Sequence, residues 1–416
     1  MRERMLKTDD HAWEIELFSR ISSFPRLIFA GLVKNAGKTT AFNTVNSLFP
    51  DEVLGLTSIG YDGEAHDAIY HHPKPPIPVR PGQLILTSEH FLPDTLKGYD
   101  ILDAWGKHPQ YGSWLILRIT APGCFRLAGP SIRSELLEGI ARLRHNGATR
   151  IHVDGALNRL SHISLSSLES SKTMFATDKS EEPEELVNPV KLVNTMQLAE
   201  PVQYVDSEDL QKSVQLAKSE EFGEFGVSVE LGTGVILSTG AAVGNTLLEI
   251  TERTQHVLAL FQLPVFSPSG DLSSGTPAQV VPIHHNAYLH QGLWVSLPSF
   301  LWNQDLKALI PAQAKAVYIK GALTDSFYLA LRATGRLPQQ FIVPTPAHVL
   351  LSPSVWSGLK SRGIKVFLLD DPHLALLTLS PWHPTTPCPT ERISEALLPY
   401  SKVPLVDMCR RRIWIP

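Results

Sequence analysis

The chain is poor in cysteine, with three residues, Cys124, Cys388 and Cys409, among 416. An odd count without metal-ligand spacing argues against a disulfide frame or a cysteine-based zinc site and fits thiols held in a reducing cytosol. There is no apolar run of about eighteen residues, the length a membrane-spanning helix needs. The opening stretch Met1–Asp10 lacks the apolar core of a secretion signal, so the expected location is the cytoplasm, with no membrane partner. Charge of one sign is also missing: a formal net charge of −4 with 19% charged residues offers no electrostatic case for nucleic acid. No Gly-x-Ser-x-Gly elbow is present, which argues against a serine nucleophile. The pairs His71–His72 and His284–His285 are adjacent, so their side chains diverge, and no further spacing completes a tetrahedral metal set.

What is present points to α/β architecture. With 43% hydrophobic residues over this length, two compact domains are expected, and many of the 32 prolines fall near element ends. Apolar, β-rich runs at Leu27–Ala30, Gln83–Thr87, Trp114–Thr120 and Ile151–Asp154 alternate with helical periods such as Ile132–His145. That alternation predicts a mostly parallel sheet with helices on both faces, whose binding edge lies at the carboxyl ends of its strands. The first domain is expected over residues 1–266, with a polar and acidic insertion near 161–226. Residues 267–279, rich in Ser, Gly and Pro, read as a linker. Short strands at Ala316–Lys320, Gln340–Val343 and Lys365–Leu369, with helices at Ser326–Thr334 and Pro353–Arg362, predict a smaller α/β domain over 280–416.

The most specific motif is Gly31-Leu-Val-Lys-Asn-Ala-Gly-Lys-Thr-Thr40, placed between an apolar strand and a helical pattern. In such a loop glycine lets backbone N–H groups turn inward onto phosphate oxygens. The lysine ammonium meets the terminal phosphates, and the hydroxyl after it ligates Mg²⁺. Gly31, Asn35, Ala36, Gly37, Lys38, Thr39 and Thr40 are therefore the candidate nucleotide-binding residues. The loop holds five residues between Gly31 and Gly37, Leu32–Ala36, where the common pattern has four. The longer spacing resembles that of dethiobiotin synthetase and its relatives.

A nucleotide site needs a carboxylate at a nearby strand end to organise the metal, and Arg150-Ile-His-Val-Asp154 supplies one. Asp154, in the Walker B role, and Thr39 are the candidate Mg²⁺ ligands; the other reading of Asp154 is a turn cap before Gly155. Thr57-Ser-Ile-Gly-Tyr-Asp-Gly-Glu64 occupies the place of a switch loop, and Asp62 and Glu64 join Lys38 as candidate catalytic residues. Asp-Gly turn chemistry is the other reading there.

Six motifs in order carry a family resemblance: the Gly31–Thr40 loop, Thr57–Glu64, Leu127-Ala-Gly-Pro130, Val153-Asp-Gly-Ala-Leu-Asn-Arg159, Ile236-Leu-Ser-Thr-Gly-Ala-Ala242 and Ile319-Lys-Gly-Ala-Leu-Thr-Asp325. Together they resemble the small reactivase subunit family associated with lysine 5,6-aminomutase. The resemblance implies an ATP-driven helper that works with a second ATPase reactivase subunit to restore an adenosylcobalamin-dependent aminomutase. Asn158 stands where the family pattern has an acidic residue, and the 178–225 region is longer and more charged than the pattern. Two rival readings stay open: an ATP-dependent small-molecule ligase of the dethiobiotin synthetase type, with Lys34 or Lys74 near its substrate, and a docking module whose phosphate loop has lost catalysis. ATP is not distinguished from GTP, because no Asn-Lys-x-Asp motif stands at a clear strand end.

Overall fold

The computed structural model describes residues 5–6, 10–60, 76–92, 98–125, 127–155, 232–266, 285–298, 306–369 and 373–416. The first strands are β1 (Met5–Leu6), β2 (Arg26–Gly31), β3 (Leu54–Ser58), β4 (Ile77–Val79), β5 (Leu84–Ser88), β6 (Tyr99–His108), β7 (Gly112–Ile119), β8 (Gly123–Phe125), β9 (Arg150–Asp154) and β10 (Thr233–Gly240). They are followed by β11 (Ala287–His290), β12 (Leu293–Ser296), β13 (Ala316–Tyr318), β14 (Leu323–Thr324), β15 (Gln340–Val343), β16 (Val349–Leu350), β17 (Lys365–Leu368), β18 (His373–Ser380), β19 (Leu405–Asp407) and β20 (Arg412–Trp414). The principal helices are α1 (Asp10–Ile21), α2 (Lys38–Ser47), α3 (Arg133–His145), α4 (Leu247–Leu260), α5 (Asp325–Ala333), α6 (Pro353–Ser361) and α7 (Thr390–Leu397).

The larger sheet has eleven strands in the order β1-β20-β19-β18-β10-β2-β9-β3-β5-β7-β6. From β19 to β5 every pairing is parallel, and antiparallel strands close both margins. The central strands are apolar on both faces because helices cover both. Leu27 and Phe29 of β2 pack in one layer with Trp13, Leu17 and Ile21 of α1 and Phe42 and Val45 of α2. Ile28 and Ala30 face the other layer, with Leu136 and Ile140 of α3, Ile250 and Leu258 of α4, and Ile393 and Leu397 of α7. This is the continuous apolar pattern of strands buried on two sides.

The smaller sheet runs β12-β11-β13-β15-β17, with β13, β15 and β17 parallel. α5 and α6 pack on it through Phe327, Leu331, Trp356 and Leu359. Here the domain expectation needs correction, because residues 280–416 do not form one C-terminal unit. The chain leaves the smaller sheet at Leu368, and β18, β19 and β20 return to the larger one. Entry and exit lie side by side: Val265 bridges Leu368, and the Phe266 N–H donates to the Leu368 carbonyl at 2.7 Å. The 267–279 linker and the 161–226 insertion lie outside the described residues.

Candidate functional site

β2 sits between β9 and β10, so the loop after it opens at the middle of the parallel edge. Two of its residues have left-handed backbone: Asn35, with φ 63°, and Gly37, with φ 89°. Asparagine and glycine are the residues that adopt this conformation at least cost, and it turns successive N–H groups into one concavity. Gly37 then starts α2, its carbonyl accepting from the Ala41 N–H at 3.0 Å. No side chain caps α2 and no acidic residue stands in its first turn. By contrast α4, α5 and α6 begin with Thr246, Thr324 and Ser352, each accepting from a backbone N–H three residues on. The start of α2 therefore keeps its positive end free of a side-chain cap and of a first-turn carboxylate.

Lys38 is the first residue of α2, and its Nζ stands 2.8 Å from Asp154 Oδ1. The contact meets the distance of an ion pair but not the angles of a hydrogen bond, so Oδ1 has no hydrogen-bond donor among the described residues. Both side chains are largely shielded, 18% and 11% exposed. Asp154 ends β9 in register with Phe29 of β2 and Ser58 of β3, and its carbonyl accepts from the Ile59 N–H at 2.8 Å. Thr39 and Thr40 are half-buried in the first turn of α2, and Lys34 is exposed on the loop. The oxygen donors at this edge are the shielded Asp154 carboxylate, paired with Lys38, and the Thr39 hydroxyl one residue after the loop lysine.

Five of the six motifs converge here. The Leu32 N–H donates to the Ser238 carbonyl of β10 at 2.9 Å, tying the Gly31–Thr40 loop to the neighbouring strand. Gly60 and the 127–130 segment exchange hydrogen bonds, Gly60 N–H to the Pro130 carbonyl and Gly129 N–H to the Gly60 carbonyl. Gly129 has to be glycine, since a Cβ there would run into the Ser58 carbonyl oxygen. The Ile319–Asp325 motif belongs instead to the smaller sheet, where Thr324 caps α5 and Asp325 accepts from the Ser352 N–H at 2.8 Å. Asp62, Glu64, Lys74, Asn158, His71, His72 and His284 lie outside the described residues.

Two features escaped the sequence reading. The Ser380 side chain, at the end of β18, packs against Gly37, which places the Ser380–Cys388 turn beside the loop. In that turn the His383 ring accepts from the backbone of Thr385 and Thr386. The only signal was an apolar strand ending in Ser380-Pro-Trp-His-Pro. The second is His152, fully buried two residues before Asp154. Its Nδ1 lies 2.6 Å from Asn46 Oδ1 among Phe29, Phe42 and Phe49. Burial, and then the Arg150 charge, pull its pKa down to about 3, so the ring is neutral.

Fold and site together define an α/β protein with a glycine-shaped, cation-bearing loop at a helix start and a carboxylate on the adjacent strand end. No protein-family model matches the chain, and neither does any curated protein or solved structure. Among the described residues no helix is long and apolar enough to cross a membrane.

Proposed function

We propose that this protein is a P-loop nucleotide-binding protein, an Mg²⁺-dependent ATP-binding reactivation or chaperone subunit. The observation that supports it most is the meeting of Lys38 and Asp154 at 2.8 Å beside the uncapped start of α2. The loop N–H groups from Asn35 to Thr40 would hold phosphate oxygens, and Lys38 would neutralise the terminal phosphates. Thr39 and Asp154 would hold Mg²⁺, which when bound supplies charge neutralisation across the β- and γ-phosphates. Lys38 then exchanges one anionic partner, the Asp154 carboxylate, for another.

The welded contacts of Gly60 with the 127–130 segment give the end of β3 a fixed base, from which the Asp62 and Glu64 loop would report nucleotide state. The partner reading, a second ATPase reactivase subunit and an adenosylcobalamin aminomutase, rests on the motif resemblance.

A fluorescent ATP analogue titrated with and without Mg²⁺ tests the site. Saturable binding that Mg²⁺ strengthens, and that Lys38→Ala weakens about 100-fold in a folded variant, is expected. Equal weak signals from both proteins overturn the nucleotide reading. For the helper role, ATP in place of ADP should change affinity for the aminomutase about tenfold. Rapid ATP turnover by the isolated chain, or by the chain with a small metabolite, favours a ligase instead.

A further inference from the structure

Between the phosphate-type loop and the Asp154 strand lies a row of contacts that the proposed function does not use. On β9, Arg150, His152 and Asp154 alternate onto the face beneath α2. On α2, Lys38, Phe42 and Asn46 recur at four-residue spacing and share one face. Four helical residues advance about 6 Å, and two strand residues advance about 6.6 Å. Helix and strand run in opposite directions, so Phe42, one helical step from Lys38, comes level with His152, one strand step from Asp154, and Asn46 reaches back to the same His152 from the far side.

The rungs follow in order. Lys38 meets Asp154 at 2.8 Å. Phe42 lies edge-on to the His152 ring at 6.4 Å, and Asn46 Oδ1 receives His152 Nδ1 at 2.6 Å. Beyond the helix, the Arg150 guanidinium lies 4.1 Å from the Phe49 ring and holds Glu52 and the Ser22 carbonyl. Only the middle polar rung is sealed from water, with Asn46 at 4% exposure and His152 at 0%.

Since Oδ1 accepts, Nδ1 must donate, which fixes the neutral tautomer. Nε2 and the Asn46 amide nitrogen have no partners among the described residues, so this one bond is all the polar satisfaction the pair has. Phenyl rings tolerate a small slide of helix over strand, because apolar contact is non-directional. The Asn46–His152 bond does not, since any slide leaves a buried donor facing aromatic carbon.

We propose that Asn46 and His152 form a register pin between α2 and β9, a positioning pair that aligns Lys38 with Asp154. The pin's effect on nucleotide rests on the proposed Mg²⁺-nucleotide site. Its effect on the Lys38–Asp154 pair does not.

The test compares wild type, His152→Leu, Asn46→Leu, the double Leu variant and His152→Gln, all confirmed folded at the assay temperature. Each single Leu variant strands one polar group and lowers Tm. The double variant removes both partners and recovers most of that loss. A positioning role predicts that the double variant still loses about tenfold of the Mg²⁺ enhancement of ATP-analogue binding, the scale of outer-shell ligand effects. His152→Gln, which restores an amide donor, recovers it. If the enhancement in the double variant equals wild type, the pair only supports the fold and the proposal is overturned.

A second readout needs no nucleotide: the rate at which acetic anhydride modifies Lys38, followed by mass spectrometry. Loss of alignment should speed this roughly threefold in the Leu variants, the scale of a lost weak ion pair. An unchanged rate overturns the pin. Should wild type bind no nucleotide, the functional reading falls and the labelling still decides the pin.

Discussion

At the scale of single residues, the buried His152 ring makes a prediction whose sign is set by its neighbours. Its folded pKa is lowered to about 3 from an ordinary value of 6.5. The unfolded chain therefore takes up a proton that the folded chain refuses. Stability from this group is complete above pH 6.5 and falls between there and pH 3, at up to about 1.4 kcal/mol per pH unit. Urea denaturation at pH 7 and pH 4.5 should show a loss roughly 2 kcal/mol larger for wild type than for His152→Gln. Gly129 is a steric case. Its Cα faces the Ser58 carbonyl with no room for a methyl group. Gly129→Ala should cost about 3 kcal/mol, read as a fall in Tm, because the backbone of two site segments must separate.

At the scale of elements, helix starts divide into two kinds. Thr246, Thr324 and Ser352 cap α4, α5 and α6 with their hydroxyls. Thr246→Ala or Thr324→Ala should each cost about 1 kcal/mol in denaturant titration. α2, α3 and α7 start without a side-chain cap, but α3 and α7 carry Glu135 and Glu391 in their first turns, whereas α2 begins on Gly37 with no acidic residue and contains three threonines, which are poor helix formers. Tertiary packing of Ala41, Phe42 and Val45 against β2 and β9 supports it instead. A negative charge placed at this start should therefore cost function while leaving the fold in place. Gly37→Asp, despite strain at φ 89°, supplies an acceptor at the helix start. It should abolish ATP-analogue binding while the far-ultraviolet circular dichroism is unchanged.

At the scale of the whole molecule, the smaller sheet is inserted between strands of the larger one, and the larger sheet is completed only by the last segment of chain. β18 pairs with β10 from Gly234 to Gly240, and Leu377, Leu379, Ile393, Leu397, Leu405 and Trp414 fill one core layer. A chain ending at Leu369 should therefore lack a cooperative thermal transition, whereas a genuine C-terminal domain over 280–416 could be removed without that loss. Much was legible beforehand, because it is local. The strands around Leu27 and Ile151 announce themselves by apolar runs, and α5 and α6 by their periodicity. The loop ending in Gly37-Lys38-Thr39 is visible because its backbone geometry demands glycine. Asp154 was legible as a strand-end carboxylate. Its distance from Lys38 was not, since 116 positions separate them and only strand pairing closes the gap. The return of β18 to the larger sheet was hidden because a buried parallel strand reads alike in either sheet. His152 was hidden because a histidine's partner lies across a helix–strand seam that no spacing encodes. Composition and periodicity thus determined the class, the elements and the loop chemistry. Tertiary structure alone decided which sheet each strand joins and which charges meet, because both depend on long-range burial and pairing.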